Sequence, residues 1–104
     1  ADDVQVEWEE NTSTVFNMIR GADPQPGANT TFNGTKLSLY DAAASSDNTA
    51  IPGTVVSIGE FGIQISTGDG AVNIGRVRES GSGKVTSSEW AESVGLAVGD
   101  LLGT

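Results

Sequence analysis

Apolar and polar residues alternate over several short runs of this chain, and glycine interrupts them at close intervals. Val4-Gln5-Val6-Glu7-Trp8 puts Val4, Val6 and Trp8 on one face and predicts a short strand. The pattern then changes period. Val15, Met18 and Ile19 recur at helical spacing, with Phe16 on the flank, and predict a helix over Thr12–Arg20. Glu9 to Thr14 supplies acids and capping side chains for its start, and Gly21 reads as its stop. Pro24-Gln25-Pro26-Gly27 cannot continue a helix.

Beyond that loop the period is two again. Thr30–Phe32 and Lys36–Tyr40 flank Asn33-Gly34, a strong hairpin turn. Ala42–Ala50 is small and polar, and reads as a surface loop. Thr54–Ile58, Ile63–Thr67 and Ala71–Arg78 are strands separated by Gly59-Glu60-Phe61-Gly62 and Gly68-Asp69-Gly70, and should form a meander. Lys84-Val85 re-enters the sheet briefly. Thr86-Ser87-Ser88 then caps a short helix, Glu89 to about Val94, which Gly95 ends. Leu96–Leu102 is an apolar tail laid back across the core. Six to seven short strands with one early and one late helix predict a mainly β fold, closed as a small open barrel to hide its edges.

Composition narrows the chemistry. The chain has 104 residues, one domain's worth, with no cysteine and no histidine. That removes disulfides, thiolate metal sites, Ser-His-Asp and Cys-His catalysis, and HExxH zinc sites. Net charge is −9, and the cations are only Arg20, Lys36, Arg76, Arg78 and Lys84. So few cations could neutralise few phosphates, so nucleic acid is not an expected partner, and anionic membrane is disfavoured likewise. No apolar run is long enough to span a bilayer, and Ala1-Asp2-Asp3 is not a signal peptide. Without an initiator Met, the chain is expected to be cut from something longer.

The candidate motifs are weak. Gly81-Ser82-Gly83-Lys84 lacks the P-loop spacing, because Arg78 and Val85 stand where Gly and Ser or Thr are required. Gly68-Asp69-Gly70 offers one carboxylate, too few for calcium. Glu7, Glu9 and Glu10 suit a solvated helix start better than a metal cluster. No catalytic residue and no metal ligand is assigned. Trp8 and Trp90 read as core or edge anchors. Arg20 either satisfies helix-end carbonyls and Asp23 or is presented at an interface. Arg76 and Arg78 share a strand face and form a basic spot for a possible partner, unless Glu79 pairs with them.

Taken together, these pieces resemble the C-terminal domain of the formyltransferase family. The resemblance rests on Trp8, on Phe16-xx-Ile19-Arg20-Gly21, and on Asp23-Pro24-x-Pro26-Gly27-Ala28. Asn33-Gly34-xx-Leu37, Pro52-Gly53-Thr54-Val55 and Gly62-Ile63-x-Ile65-xx-Gly68-Asp69-Gly70 add to it, as do Trp90-Ala91, Gly95-Leu96 and Gly99-Asp100 with Leu102. The family includes a methionyl-tRNA formyltransferase branch and a 10-formyltetrahydrofolate dehydrogenase-like branch. The resemblance implies an open Greek-key β-barrel. It implies an accessory half that packs on a separate N-terminal catalytic domain and shapes substrate access. The Asn/His/Asp machinery and the 10-formyltetrahydrofolate cofactor belong to that other half, in a cytoplasmic one-carbon enzyme. Arg20, Gly21, Pro24, Pro26 and Gly27 are the expected domain interface. In the tRNA-dependent branch this half helps to hold tRNA through positive charge, from which the present charge departs. The loop wording is closer to the dehydrogenase-like branch. The alternative is a free-standing acidic barrel that binds a protein or small ligand.

Overall fold

The protein is described by a computed structural model over residues 4–23, 27–45 and 50–103. Helix α1 spans Thr12–Ala22, with Asn11 as its N-cap accepting from the Thr14 N–H at 2.9 Å. The strands are β1 (Ala28–Phe32), β2 (Thr35–Ser45), β3 (Val55–Gly59), β4 (Gly62–Ser66), β5 (Ala71–Glu79) and β6 (Val85–Thr86), followed by helix α2 (Ser87–Val94). All strand pairs are antiparallel, in the order β1-β2-β5-β4-β3, and β6 also pairs with β5. β3, β4 and β5 form the meander. β2 lies beyond β5, which makes the connectivity a Greek key.

Local signals explain most of these elements. Asn33 and Gly34 both take positive φ, 50° and 83°, as a two-residue hairpin of this twist requires. Thr86 caps α2 by accepting from the Glu89 N–H, and Gly95 ends it at φ 69°. The core gathers Leu37, Leu39, Ile63, Ile65, Val72, Ile74 and Val77 from the sheet with Val15 and Ile19 from α1. Trp8 and Trp90 are both 4% exposed and sit in that core, as anchors should.

Four expectations need correction. Gly21 does not stop α1; the helix runs on to Ala22, and Asp23 closes it by donating its N–H to the Ile19 and Arg20 carbonyls. Ala42–Ser45 is not loop but the second half of β2, paired from Ala42↔Ile74 to Ser45↔Ala71. Cross-strand bonding overrides the weak β preference of that alanine run; residues 46–49 lie outside the described residues. Val4–Trp8 makes a single parallel bridge, Gln5↔Asn29, in place of a strand, although Val6 and Trp8 face inward as the alternation predicts. Finally, the sheet is not closed into a barrel: β1 and β3 remain its edges.

Those edges are nonetheless covered. The C-terminal tail hydrogen-bonds to β3 and its lead-in, through Val55 N–H to Asp100 O at 2.8 Å and Leu102 N–H to Gly53 O at 2.8 Å. It then reaches β1, where Gly103 N–H donates to Thr31 O at 2.7 Å. The tail therefore does in single bonds what a closing strand would do in a ladder.

A second device joins α1 to the β4–β5 turn. The Asp69 carboxylate accepts from the Thr12 N–H at 2.7 Å and from the Thr12 hydroxyl at 2.9 Å. These two donors, backbone first, hold the Asp69 carboxyl below its ordinary value of 3.8, against a smaller opposing effect of burial. A depressed folded pKa contributes stability above the unfolded value and loses it as pH falls through the folded one. Asp69→Ala should therefore lower Tm at neutral pH, and its gap from the unaltered protein should close only below the ordinary carboxylate range. A gap that stays constant across a thermal series down to strong acid would refute the charged cap.

Candidate functional site

The chain's cations are not scattered. Three of its five Lys and Arg residues, Arg76, Arg78 and Lys84, form one surface around Tyr40 of β2. Register creates it: Tyr40 lies opposite Arg76 and Ser38 opposite Arg78. Residues opposite one another in a ladder share a face, so the arginines flank Tyr40 on the side away from Leu39 and Val77.

Tyr40 is the centre of this surface. It is 2% exposed, yet it lies outside the main hydrophobic cluster. Arg78 Nε donates to its hydroxyl at 3.4 Å, and the Lys84 ammonium sits 4.0 Å from its ring centroid. Gly27 covers it from a further side. A Cβ at Gly27 would lie 2.7 Å from the ring, and the backbone there has φ +83°, so a residue with a side chain is excluded on both counts.

Next to Tyr40, Asp41 takes φ 56° and faces Gly75, the residue between Ile74 and Arg76. Here the inward-facing set changes parity, from Leu37, Leu39 and Val77 to Ile74 and Val72. The two strands turn together, and the turn brings Asp41 to the arginines. Its carboxylate pairs with Arg76 at 2.9 Å, and its N–H donates to Asp23 at 3.1 Å. The pair is half exposed on both sides, so it contributes at most about 1 kcal/mol and serves mainly to orient Arg76.

Other concavities offer less. A groove of about 610 Å³ is lined by Thr12, Ser13, Phe16, Ala44, Ser45 and Asp69, but its carboxylate is engaged in capping α1. A smaller hollow of about 230 Å³ beside Trp90 includes Glu79, which accepts from the indole N–H at 3.0 Å. Among the described residues, no nucleophile, base and oxyanion donors converge.

The comparisons with known proteins agree with this arrangement of elements. Residues 1–95 match the family model for the formyl transferase C-terminal domain. The chain belongs to that family. It is 33% identical over 104 residues to methionyl-tRNA formyltransferase of Streptococcus gordonii, covering 98% of this chain and 33% of that protein. It is 33% identical over 102 residues to the enzyme of the same name from Streptomyces griseus, with the same coverage. Among solved structures it is similar to HypX from Aquifex aeolicus in complex with tetrahydrofolic acid. The TM-score is 0.80 at 31% identity, over 90% of this chain and 17% of that one. The chain thus spans about a third of the length of the curated relatives it matches. These relatives are methionyl-tRNA formyltransferases.

Within the domain, the residues singled out from the sequence fall into three groups. Gly27 and Arg78 meet at Tyr40, and Arg76 stands beside them. Arg20 lies one turn before Asp23 and carries its guanidinium 5.6 Å from the Phe16 ring, without the ion pair to Asp23 that its spacing suggested. Gly21 is exposed in the helix with open space around it. Pro24 and Pro26 lie outside the described residues. Glu79 is not the partner of the arginines, because it faces Trp90 on the other side of β5. Tyr40 and Lys84 were missed as site residues. A signal for Tyr40 existed: a tyrosine on the polar side of the alternating run Lys36–Tyr40 has to be covered by something outside the core.

Proposed function

We propose that this domain is the non-catalytic accessory half of a folate-dependent formyltransferase or formyl-hydrolase-like enzyme. It packs on a separate N-terminal catalytic domain and shapes substrate access. The observation that carries the reading is the family match over residues 1–95 in a chain about a third as long as its relatives. In this reading the catalytic domain holds the 10-formyltetrahydrofolate, and the enzyme works in the cytoplasm. No helix among the described residues is long and apolar enough to cross a membrane. The surface turned to the catalytic domain is the end of α1 with Arg20 and Gly21, the loop from Pro24 through Pro26 to Gly27, and the neighbouring Arg76 and Arg78. In the assembled enzyme the tail, bonded to Gly53, Val55 and Thr31, gives the sheet the character of an open barrel. Nucleic acid is not part of this reading, since five cations stand against fourteen acids.

The test is made in the full-length enzyme. Removing residues 4–103 should lower kcat/KM for formyl transfer by about tenfold, the loss expected when about 1.4 kcal/mol of positioning is removed. A kcat/KM that survives the deletion undiminished would sink the accessory reading, and the free-standing binding module would take its place.

A further inference from the structure

Asn33 is the one asparagine of the chain that glycine follows; Asn11, Asn17, Asn29, Asn48 and Asn73 precede Thr, Met, Thr, Thr and Ile. The neighbour matters because a backbone nitrogen can attack the side-chain amide of the residue before it, and a bulky following residue crowds that approach. At Gly34 no side chain is in the way, and a Cβ added there would meet nothing within 4 Å. Both turn residues are exposed. Elsewhere, Asn11 is occupied in capping α1, Asn29 is 4% exposed, and Asn73 donates to the Phe61 carbonyl. The one Asp-Gly pair, Asp69-Gly70, is restrained at both reacting groups. Its carboxylate accepts from Thr12, and the Gly70 N–H donates to the Thr67 hydroxyl at 3.1 Å.

The hairpin restrains Asn33 in a different way. Its φ of 50° lies in the left-handed region, where ψ is positive too and Cβ is turned away from the Gly34 nitrogen. The amide carbon and that nitrogen meet only when the turn opens. A tip of exposed residues at the end of a two-strand ladder opens at small local cost.

We propose that Asn33 is the domain's site of spontaneous deamidation, gated by opening of the β1–β2 turn. In the opened tip the Gly34 nitrogen gives its proton to base and bonds to Asn33 Cγ. The Cγ–Nδ2 bond breaks and ammonia leaves, which closes a succinimide ring. Water then opens the ring at either carbonyl, so the chain gains one negative charge and nothing is oxidised or reduced. One product is aspartate, which suits this turn as asparagine does. The other is isoaspartate, which adds a methylene to the backbone of a two-residue turn. Phe32 adjoins the turn opposite Thr35, and its ring meets Trp90 of α2 edge-on at 5.7 Å. Isoaspartate at position 33 therefore disturbs the seat of α2, whereas aspartate does not.

The experiment ages the full-length enzyme in warm, mildly alkaline buffer, with and without urea, and maps its peptides by mass spectrometry. Without urea the Asn33 peptide should convert about tenfold faster than any other asparagine peptide of this domain, and urea should speed it by a similar factor. Conversion spread evenly over the asparagines overturns the site. Equal rates at Asn33 with and without urea overturn the gating. Asn33→Asp sets the aspartate product in place from the start and should leave amide exchange in α2 unchanged. The isoaspartate fraction of aged enzyme should exchange there severalfold faster, and an unchanged rate in that fraction overturns the link to Trp90. None of these outcomes depends on the accessory-domain reading.

Discussion

Trp8→Ala is expected to destabilise this domain by about 3–5 kcal/mol, a third or more of the total typical of a chain this size. The indole lies where β1, the lead-in to β3 and the C-terminal tail meet. Its N–H donates to the buried Thr30 hydroxyl on β1 at 3.0 Å. Its five-membered ring lies against Gly53, where an added Cβ would be 3.5 Å away, and against Gly103, where one would be 3.7 Å away. Removing it leaves a cavity between β1, the lead-in to β3 and the tail. It also strips Thr30, 2% exposed, of its partner. Because the tail links the two sheet edges, the loss should spread to both of them. Trp8→Phe separates the contributions: the ring stays, the donor goes, and the cost should fall to about 1–2 kcal/mol. Urea unfolding followed by circular dichroism measures both. A cost under about 1 kcal/mol for Trp8→Ala would mean that the tail is held without the indole.

How much of this could be read in the sequence depends on the range of the forces involved. The hairpin at Asn33-Gly34, the cap at Thr86 and the stop at Gly95 are local, and they stand where their residues predict. The second half of β2 was illegible because nothing within Ala42–Ser45 favours a strand; its pairing with Ala71–Ile74 creates it. Closure was misjudged for a similar reason. Strand count alone suggested a barrel, but the edges are covered by single bonds from the N-terminal segment and the tail. At the candidate site, Gly27, Arg76 and Arg78 were legible as special residues. Their meeting point was not, because Tyr40 reaches the arginines only through the β2–β5 register. The partner of Arg76 likewise depends on Asp41 adopting positive φ, which sequence spacing does not announce.

Gly68→Val should be the other severe substitution, and Gly21→Ala should move in the opposite direction. Both glycines read from the sequence as places where the chain stops or turns, but their surroundings differ. At Gly68 the N–H donates to the Glu10 carbonyl at 2.8 Å, and the backbone leading into α1 passes directly over the Cα. A Cβ there would collide with the Glu9 carbonyl oxygen and lie 3.0 Å from that of Glu10. These are backbone atoms and cannot rotate away. The β4–β5 turn has to withdraw, and Asp69 and Thr67 withdraw with it from Thr12. Overpacking and one lost backbone bond together cost roughly 2–4 kcal/mol, and the Asp69 cap is lost with them. Faster amide exchange in the first turn of α1 would trace the loss to this contact. At Gly21 a Cβ meets nothing within 4 Å, and the helix continues through it. Alanine there should add about 0.5–1 kcal/mol by restricting the unfolded chain and favouring helix. If Gly21→Ala destabilised the domain, the end of α1 would lie at Gly21 after all. If Gly68→Val were neutral, the turn would not be packed beneath the helix start, and the Asp69 cap would fall with it.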